Sequence, residues 1–367
     1  MGDCACDVTV DQLDQLSPPY FFFVELTSAC NNDCPGCSNI FANRSQEPLP
    51  SVEWRRLLEQ LGPHRPRLKI TGGEPTLHPE FEAIIRHIQA LGMSFTLFTN
   101  GRWQQPERLV SFLAEVPQLE GLLISLHGTK PESHEAFTCV PGSFEETIAN
   151  IQLAVEAGLT VVISTVLTKH SCEEVAEVVA LAQAMGADHV DFNRYVGKPL
   201  LRLEPSEKQL SSAIFEIERL MNGRRSKAAN SSPCASSTPV RYGVPIPPCF
   251  VPNRSHGCLS GIAHVTIDPW GNVRPCAHVL LTCGNLLVQA LEEIWHSAVM
   301  ETWHRMIPEE CMGCEEFAVC RGGCRATAML RGLDRDPLCV SQSVGELIVV
   351  PGETSFLAET VGQAERC

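Results

Sequence analysis

Cysteine spacing constrains this chain more than any other feature. Eighteen cysteines fall among 367 residues, and most are grouped rather than scattered. Cys30, Cys34 and Cys37 stand as C-x3-C-x2-C, and a second array runs from Cys258 and Cys276 through Cys311, Cys314, Cys320 and Cys324 to Cys339. Such density has two physical explanations: a secreted fold stapled by disulfides, or a reduced protein whose thiolates hold metal. The first residues are acidic and lack an apolar h-region, so no secretory signal is expected. No run approaches the roughly 18 apolar residues of a membrane span. Gly2 hints at myristoylation, but Cys6 stands where that signal wants Ser or Thr, and Cys367 ends the sequence without a prenylation box. The expectation is a cytoplasmic protein that uses its clustered cysteines as metal ligands.

Charge narrows the partners. Lys and Arg number 28 against 43 Asp and Glu, a net charge of −15, so nothing obvious neutralises nucleic-acid phosphates or an anionic membrane. Apolar residues at 44% allow a sizeable core. Short β-rich runs at 21–27, 68–71, 95–99, 122–126, 161–167 and 189–195 alternate with helical patterns at 51–61, 81–91, 106–116, 144–157, 172–185 and 206–221. Six βα units in sequence imply a parallel sheet with outer helices. The spacing leaves no room for eight, so the fold class is α/β, an open partial (β/α)6 barrel of the TIM type, with catalysis expected beyond the strand C-termini. The expected boundaries are an N-terminal segment 1–19, the barrel 20–221, a Ser-, Pro- and Ala-rich linker 222–248, a cysteine-dense domain 249–340 and a tail 341–367. The cysteine-dense domain is expected to hold a single strand (264–267) and a single helix (290–306).

The first cysteine group follows the first strand. Three thiolates on one tight loop can hold three corners of a cubane iron–sulfur cluster, leaving the fourth iron open to substrate or cofactor. Zinc is the rival, but structural zinc sites take four ligands in paired knuckles, and no fourth partner is near. After the second strand comes Thr71-Gly72-Gly73-Glu74-Pro75. Glycines permit close backbone approach, and a carboxylate matches an ammonium. Together these motifs resemble the radical S-adenosylmethionine (radical SAM) superfamily. The resemblance implies that Cys30, Cys34 and Cys37 bind a [4Fe–4S] cluster, and that Gly72, Gly73, Glu74 and Pro75 hold the methionine amino group of S-adenosylmethionine. It also places polar groups for the cofactor's carboxylate, ribose and adenine at the strand ends, here Thr99, Asn100, Ser125, Ser164 and Asn193. Each of these reads equally well as an ordinary strand-end hydrogen-bonding residue. Relatives commonly show Ser-Leu-Asp-Gly where this chain has Ser125-Leu126-His127-Gly128, which leaves the role of His127 open, a surface or turn histidine being the plainer reading.

The second array resembles the seven-cysteine SPASM pattern, so the resemblance spans roughly 21–339. It implies two auxiliary [4Fe–4S] clusters: one on Cys258, Cys276 and Cys324, with Cys249 as its natural fourth ligand, and one on Cys311, Cys314, Cys320 and Cys339. Three clusters and S-adenosylmethionine are thus the expected cofactors. A pair of zinc knuckles is the alternative. Cys139 and Cys172 read as core or loop thiols, Cys283 as a buried thiol beside the array, Cys234 as a linker residue, and Cys4 and Cys6 as a lone pair that signals no metal by itself.

What the resemblance implies chemically is reductive cleavage of S-adenosylmethionine, fed by a ferredoxin or flavodoxin, to a 5′-deoxyadenosyl radical that abstracts a substrate hydrogen. SPASM proteins most often modify peptides or proteins. The leading expectation is a maturase of a ribosomally made precursor peptide, assisted by a separate leader-recognition protein, because only 29 residues precede Cys30. The flank Cys37-Ser38-Asn39-Ile40-Phe41 resembles peptide spliceases, which excise a tyrosine-derived unit and leave an α-keto-β-amino residue; thioether or carbon–carbon crosslinks are the other outcomes. A sulfatase-type maturase forming formylglycine is a second class, for which no catalytic base is identified. A non-catalytic iron–sulfur scaffold is a third, and the intact Gly-Gly-Glu-Pro loop argues against it.

Overall fold

Alternation builds the sheet. Phe22 and Val24, Leu68 and Ile70, Phe95 and Leu97, Leu122 and Ile124, and Val190 and Phe192 are all buried two residues apart, so one face of each of these runs is apolar. Helices cover that face with stripes at i, i+3, i+4 and i+7, as in Trp54, Leu57, Leu58 and Leu61, or Phe81, Ile84, Ile85 and Ile88. The computed structural model describes residues 19–41, 43–64, 66–228, 238–250 and 257–339, with 222–228 described by backbone only.

The strands are β1 (Phe21–Glu25), β2 (Arg67–Thr71), β3 (Phe95–Thr99), β4 (Leu119–Ser125), β5 (Val161–Leu167), β6 (His189–Arg194), β7 (Val240–Tyr242), β8 (His264–Ile267), β9 (Asn272–Arg274) and β10 (Gly284–Asn285). They form one sheet in the order β10-β9-β8-β1-β2-β3-β4-β5-β6-β7. From β8 to β7 every pairing is parallel, while β9 and β10 add an antiparallel margin. The six expected strands are present with ends shifted by at most three residues, and β3 and β5 match residue for residue.

The structure departs from the sequence-based expectation in five places, the first being that the described residues of the cysteine-dense region hold three strands, β8, β9 and β10, rather than one. The segment 222–248 is not a plain linker: the helix Glu207–Ala228 runs into it, and β7 pairs with β6 there. β8, from the cysteine-dense region, pairs with β1, so the sheet continues across the expected boundary at 249. A helix at Pro131–Thr138 has no counterpart in the apolar pattern, because its buried face is Ser133, His134, Phe137 and Thr138, mostly polar. The expected helix 290–306 is two helices, Leu291–Trp295 and Ala298–Arg305, since Ser297 caps the second by accepting from the Met300 N–H at 3.3 Å.

Candidate functional site

Loops interlock at the C-terminal ends of β1, β2 and β3. The chain leaving β1 carries Cys30, Cys34 and Cys37, and the chain leaving β2 turns back onto it. Gly73 N–H donates to Thr27 O (2.7 Å) and Glu74 N–H to Ala29 O (2.8 Å). Gly72 has a φ of +150°, and a Cβ there would lie 2.5 Å from Thr27 O. A Cβ on Gly73 would collide with Ala29 O. The two glycines are therefore demanded by backbone contact with the cysteine loop.

The three thiols are near neighbours, each within electrostatic reach of at least one other. Burial pushes Cys30 up to about 12 and raises Cys34 and Cys37 as well. Backbone N–H groups point at two of the sulfurs, Asn32 at Cys30 (3.4 Å) and Asn39 at Cys37 (3.3 Å). Among the described residues no three His, Cys, Asp or Glu side chains converge on a single metal ion. A cubane does not ask that of them, since each thiolate takes a different iron. Bonding to iron would favour the thiolate forms that burial alone disfavours. The donor set therefore fits an iron–sulfur cluster.

Glu74 sits at the centre of this end of the sheet and is wholly buried. Its carboxylate accepts from Thr76 Oγ1 (2.7 Å), Thr99 Oγ1 (2.9 Å) and the Asn100 N–H (2.8 Å). Burial raises its pKa, while the Asn100, Thr76 and Thr99 hydrogen bonds pull the other way. These bonds tie the loop after β3 to the loop after β2. Asn100 continues the chain of contacts, donating to Asn31 Oδ1 (2.6 Å) and lying 3.8 Å from Cys30 Sγ. Ser125 and Ser164 are register partners across β4 and β5, and Asn193 on β6 donates to Ser164 Oγ (2.9 Å).

Three features escape a reading of the sequence. Arg102 clamps the cysteine loop through Asn31 O (2.6 Å) and Asn32 Oδ1 (2.8 Å), and its Nε pairs with Glu146 (2.7 Å). Asn39 donates to Ser28 O (2.8 Å). The polar residues flanking the cysteines are the available signal for both. His127 is not at the surface: it is buried against Phe137 and stacked on His134, whose Nδ1 accepts the His127 N–H (3.1 Å).

The C-terminal cysteines fall into two groups. Cys258 and Cys276 both lie within reach of Cys324. Burial pushes these two thiols up to about 11 and about 12. A small apolar pocket of about 40 Å³ lies beside these cysteines, with Ile246, Cys258, Cys320, Gly323 and Cys324 among the residues lining it. Cys311, Cys314, Cys320 and Cys339 form the other group. Cys249, which the sequence pairs with Cys258, lies elsewhere. It neighbours Cys311, Cys320 and Cys339, and its thiol points to Leu338 O at 3.9 Å. The tertiary path that brings it there is one that spacing alone does not reveal. Cys172 and Cys283 are buried free thiols. Cys4, Cys6, Cys234 and Cys367 lie outside the described residues.

A parallel sheet with a three-thiol loop and a glycine-rich loop at its strand ends, joined to a two-group cysteine array, defines a class. The family model of the radical SAM superfamily matches 24–182, and that of the SPASM iron–sulfur cluster-binding domain matches 258–324. The chain thus carries a radical SAM domain followed by a SPASM domain, the arrangement found in radical SAM enzymes. Among curated proteins it is 29% identical to an AdoMet-dependent heme synthase of Methanosarcina barkeri, over 86% of this chain and 95% of that one. It is 28% identical to a PqqA peptide cyclase of Xanthomonas campestris, over 89% of this chain and 88% of that one. Its fold matches that of Streptococcus suis SuiB bound to precursor peptide SuiA, with a TM-score of 0.73 at 19% identity over 90% of this chain and 78% of that one. No described helix is long and apolar enough to cross a membrane.

Proposed function

We propose that this chain is a radical SAM/SPASM maturase acting on a ribosomally made precursor peptide. One observation carries the reading: the cysteine loop and the glycine-rich loop interlock through Gly73 and Glu74 at the strand C-termini, where a sheet of this kind places its chemistry. Cys30, Cys34 and Cys37 would hold the SAM-binding cluster, and Gly72 to Pro75 would present backbone carbonyls to the methionine amino group. Thr99 and Asn100 are fixed by Glu74, and Ser125, Ser164 and Asn193 extend a polar row toward ribose and adenine. When bound, the cluster and S-adenosylmethionine supply a 5′-deoxyadenosyl radical that takes a hydrogen from the substrate. The chain's own task is to orient the reactants and exclude water, which the buried walls around Glu74 and Thr99 serve.

Cys258, Cys276 and Cys324, and separately Cys311, Cys314, Cys320 and Cys339, would hold two auxiliary clusters, giving three in all. Cys249 stands beside the second group, which leaves the first with three thiolates. Peptide chemistry is supported by the PqqA peptide cyclase relative. A separate leader-recognition protein and a ferredoxin or flavodoxin donor complete the system, and splicing at a tyrosine is the finer outcome proposed, ahead of thioether or carbon–carbon crosslinking. The test is mass spectrometry of precursor peptides encoded beside this chain, incubated anaerobically with it, S-adenosylmethionine and a reductant. A mass change dependent on S-adenosylmethionine is expected; unmodified peptide alongside normal cofactor cleavage would overturn the peptide reading. The heme synthase relative supplies the second reading, a tetrapyrrole substrate, for which visible spectra of the same reaction with porphyrin precursors give the discriminating signal.

A further inference from the structure

Arg194 ends β6, and Asp336 lies between the helix Arg325–Arg331 and Cys339. Their side chains meet fork to fork, Nη1 to Oδ2 at 2.6 Å and Nη2 to Oδ1 at 2.8 Å, with exposures of only 3% and 0%. A buried pair of this kind is a poor source of net stability, because desolvation offsets much of the attraction. Its surroundings give it another role. Asp336 Oδ2 also accepts from the Cys324 N–H (2.8 Å), Oδ1 from the Leu338 N–H (3.1 Å), and Asp336 O from the Cys339 N–H (2.9 Å). A Cβ on Gly323 would lie 2.7 Å from Asp336 Cβ and 3.1 Å from Cys339 Sγ, so the backbone packs directly on both. Cys324 belongs to one cysteine group and Cys339 to the other, and the guanidinium acts electrostatically on both. Its Nε is a buried donor with no protein acceptor among the described residues.

We propose that Arg194 and Asp336 are positioning residues shared by the two auxiliary sites: they hold both cysteine groups against the end of β6 and set the electrostatic surroundings of both clusters. This rests on reading the array as cluster-binding. A fixed cation between two clusters favours their reduced forms, and a fixed anion opposes them, since local charge and hydrogen bonds to sulfur set such potentials. Removing each partner must therefore move both clusters together, in opposite directions for the two partners.

The test is a redox titration followed by electron paramagnetic resonance, with iron counts, on the full reconstituted chain and its R194K, R194M and D336N variants. The expected result is that R194M lowers the midpoint potentials of both auxiliary clusters and D336N raises both. R194K, which keeps the charge, should stay near wild type. The signal of the SAM-binding cluster, and its change on adding S-adenosylmethionine, should be unmoved throughout. Should R194M fail to fold, the near-isosteric D336N carries the same test with its own sign. Movement of only one auxiliary cluster, of neither, or of all three alike would overturn the proposal. A wild-type chain binding only about four irons would instead overturn the cluster reading beneath it, a different result.

Discussion

Glu74 has no exposed surface, yet its carboxylate accepts from residues of two separate loops. A hydrogen bond to a charged acceptor contributes about 1.5–3 kcal/mol. Glu74→Gln should therefore loosen the loop proposed to receive S-adenosylmethionine, weakening its binding roughly tenfold to a hundredfold by the same scale. Iron content should hold, because no cysteine is touched. Calorimetry on the reconstituted variant measures this, and unchanged affinity would place Glu74 outside cofactor binding. His127 and His134 make the second case at this scale. Burial holds His134 down to about 4 and drives His127 well below its ordinary value of 6.5. The unfolded chain thus takes up protons near pH 6.5 while these folded imidazoles stay neutral. Their contribution to stability is full above about 6.5 and is lost as pH falls toward 4. His134→Asn keeps an acceptor for the His127 N–H and removes one titrating group. Its denaturant midpoint should fall less between about pH 7 and about pH 5 than that of wild type, and an equal fall would show that His134 does not contribute to acid sensitivity.

Elements expose what pattern can and cannot reveal. The helix Ser51–Leu61 is legible residue for residue because Trp54, Leu57, Leu58 and Leu61 repeat at helical spacing and are all buried. Truncating Leu58 to Ala should cost about 2–5 kcal/mol by chemical denaturation, as for other buried leucines. A loss under about 1 kcal/mol would mean that the stripe is not packed as described. The helix Pro131–Thr138 is illegible for the converse reason, a buried face of Ser133, His134 and Thr138 around a single Phe137. β7 is three residues long and stands next to Pro239, too short for alternation to register. The cysteine groups are legible as motifs, but the place of Cys249 beside Cys339 depends on tertiary path, which spacing does not carry. Gly73 tests the interlock of elements directly. A Cβ there meets the backbone oxygen of Ala29, which cannot swing aside as a flexible side chain would. Gly73→Ala should displace the loop after β2 and abolish binding of S-adenosylmethionine while the auxiliary clusters remain, and retained binding would contradict the interlock.

At the scale of the whole molecule, one continuous sheet joins the two halves. β8 from the cysteine-dense region lies parallel to β1, and Arg194 on β6 reaches Asp336 beside Cys324 and Cys339. The auxiliary groups are thus held to the same scaffold that carries the first cysteine loop. This predicts that the three sites load independently yet keep fixed separations. The most direct measurement is anaerobic reconstitution of the Cys30→Ala, Cys34→Ala, Cys37→Ala triple variant beside wild type, with iron counted and 5′-deoxyadenosine quantified after reduction with S-adenosylmethionine. Wild type should bind about twelve irons, and the triple variant should lose about four of them together with all 5′-deoxyadenosine formation. A triple variant that still forms 5′-deoxyadenosine, or that keeps its full iron, would contradict the assignment of the cysteine loop after β1 as the catalytic centre.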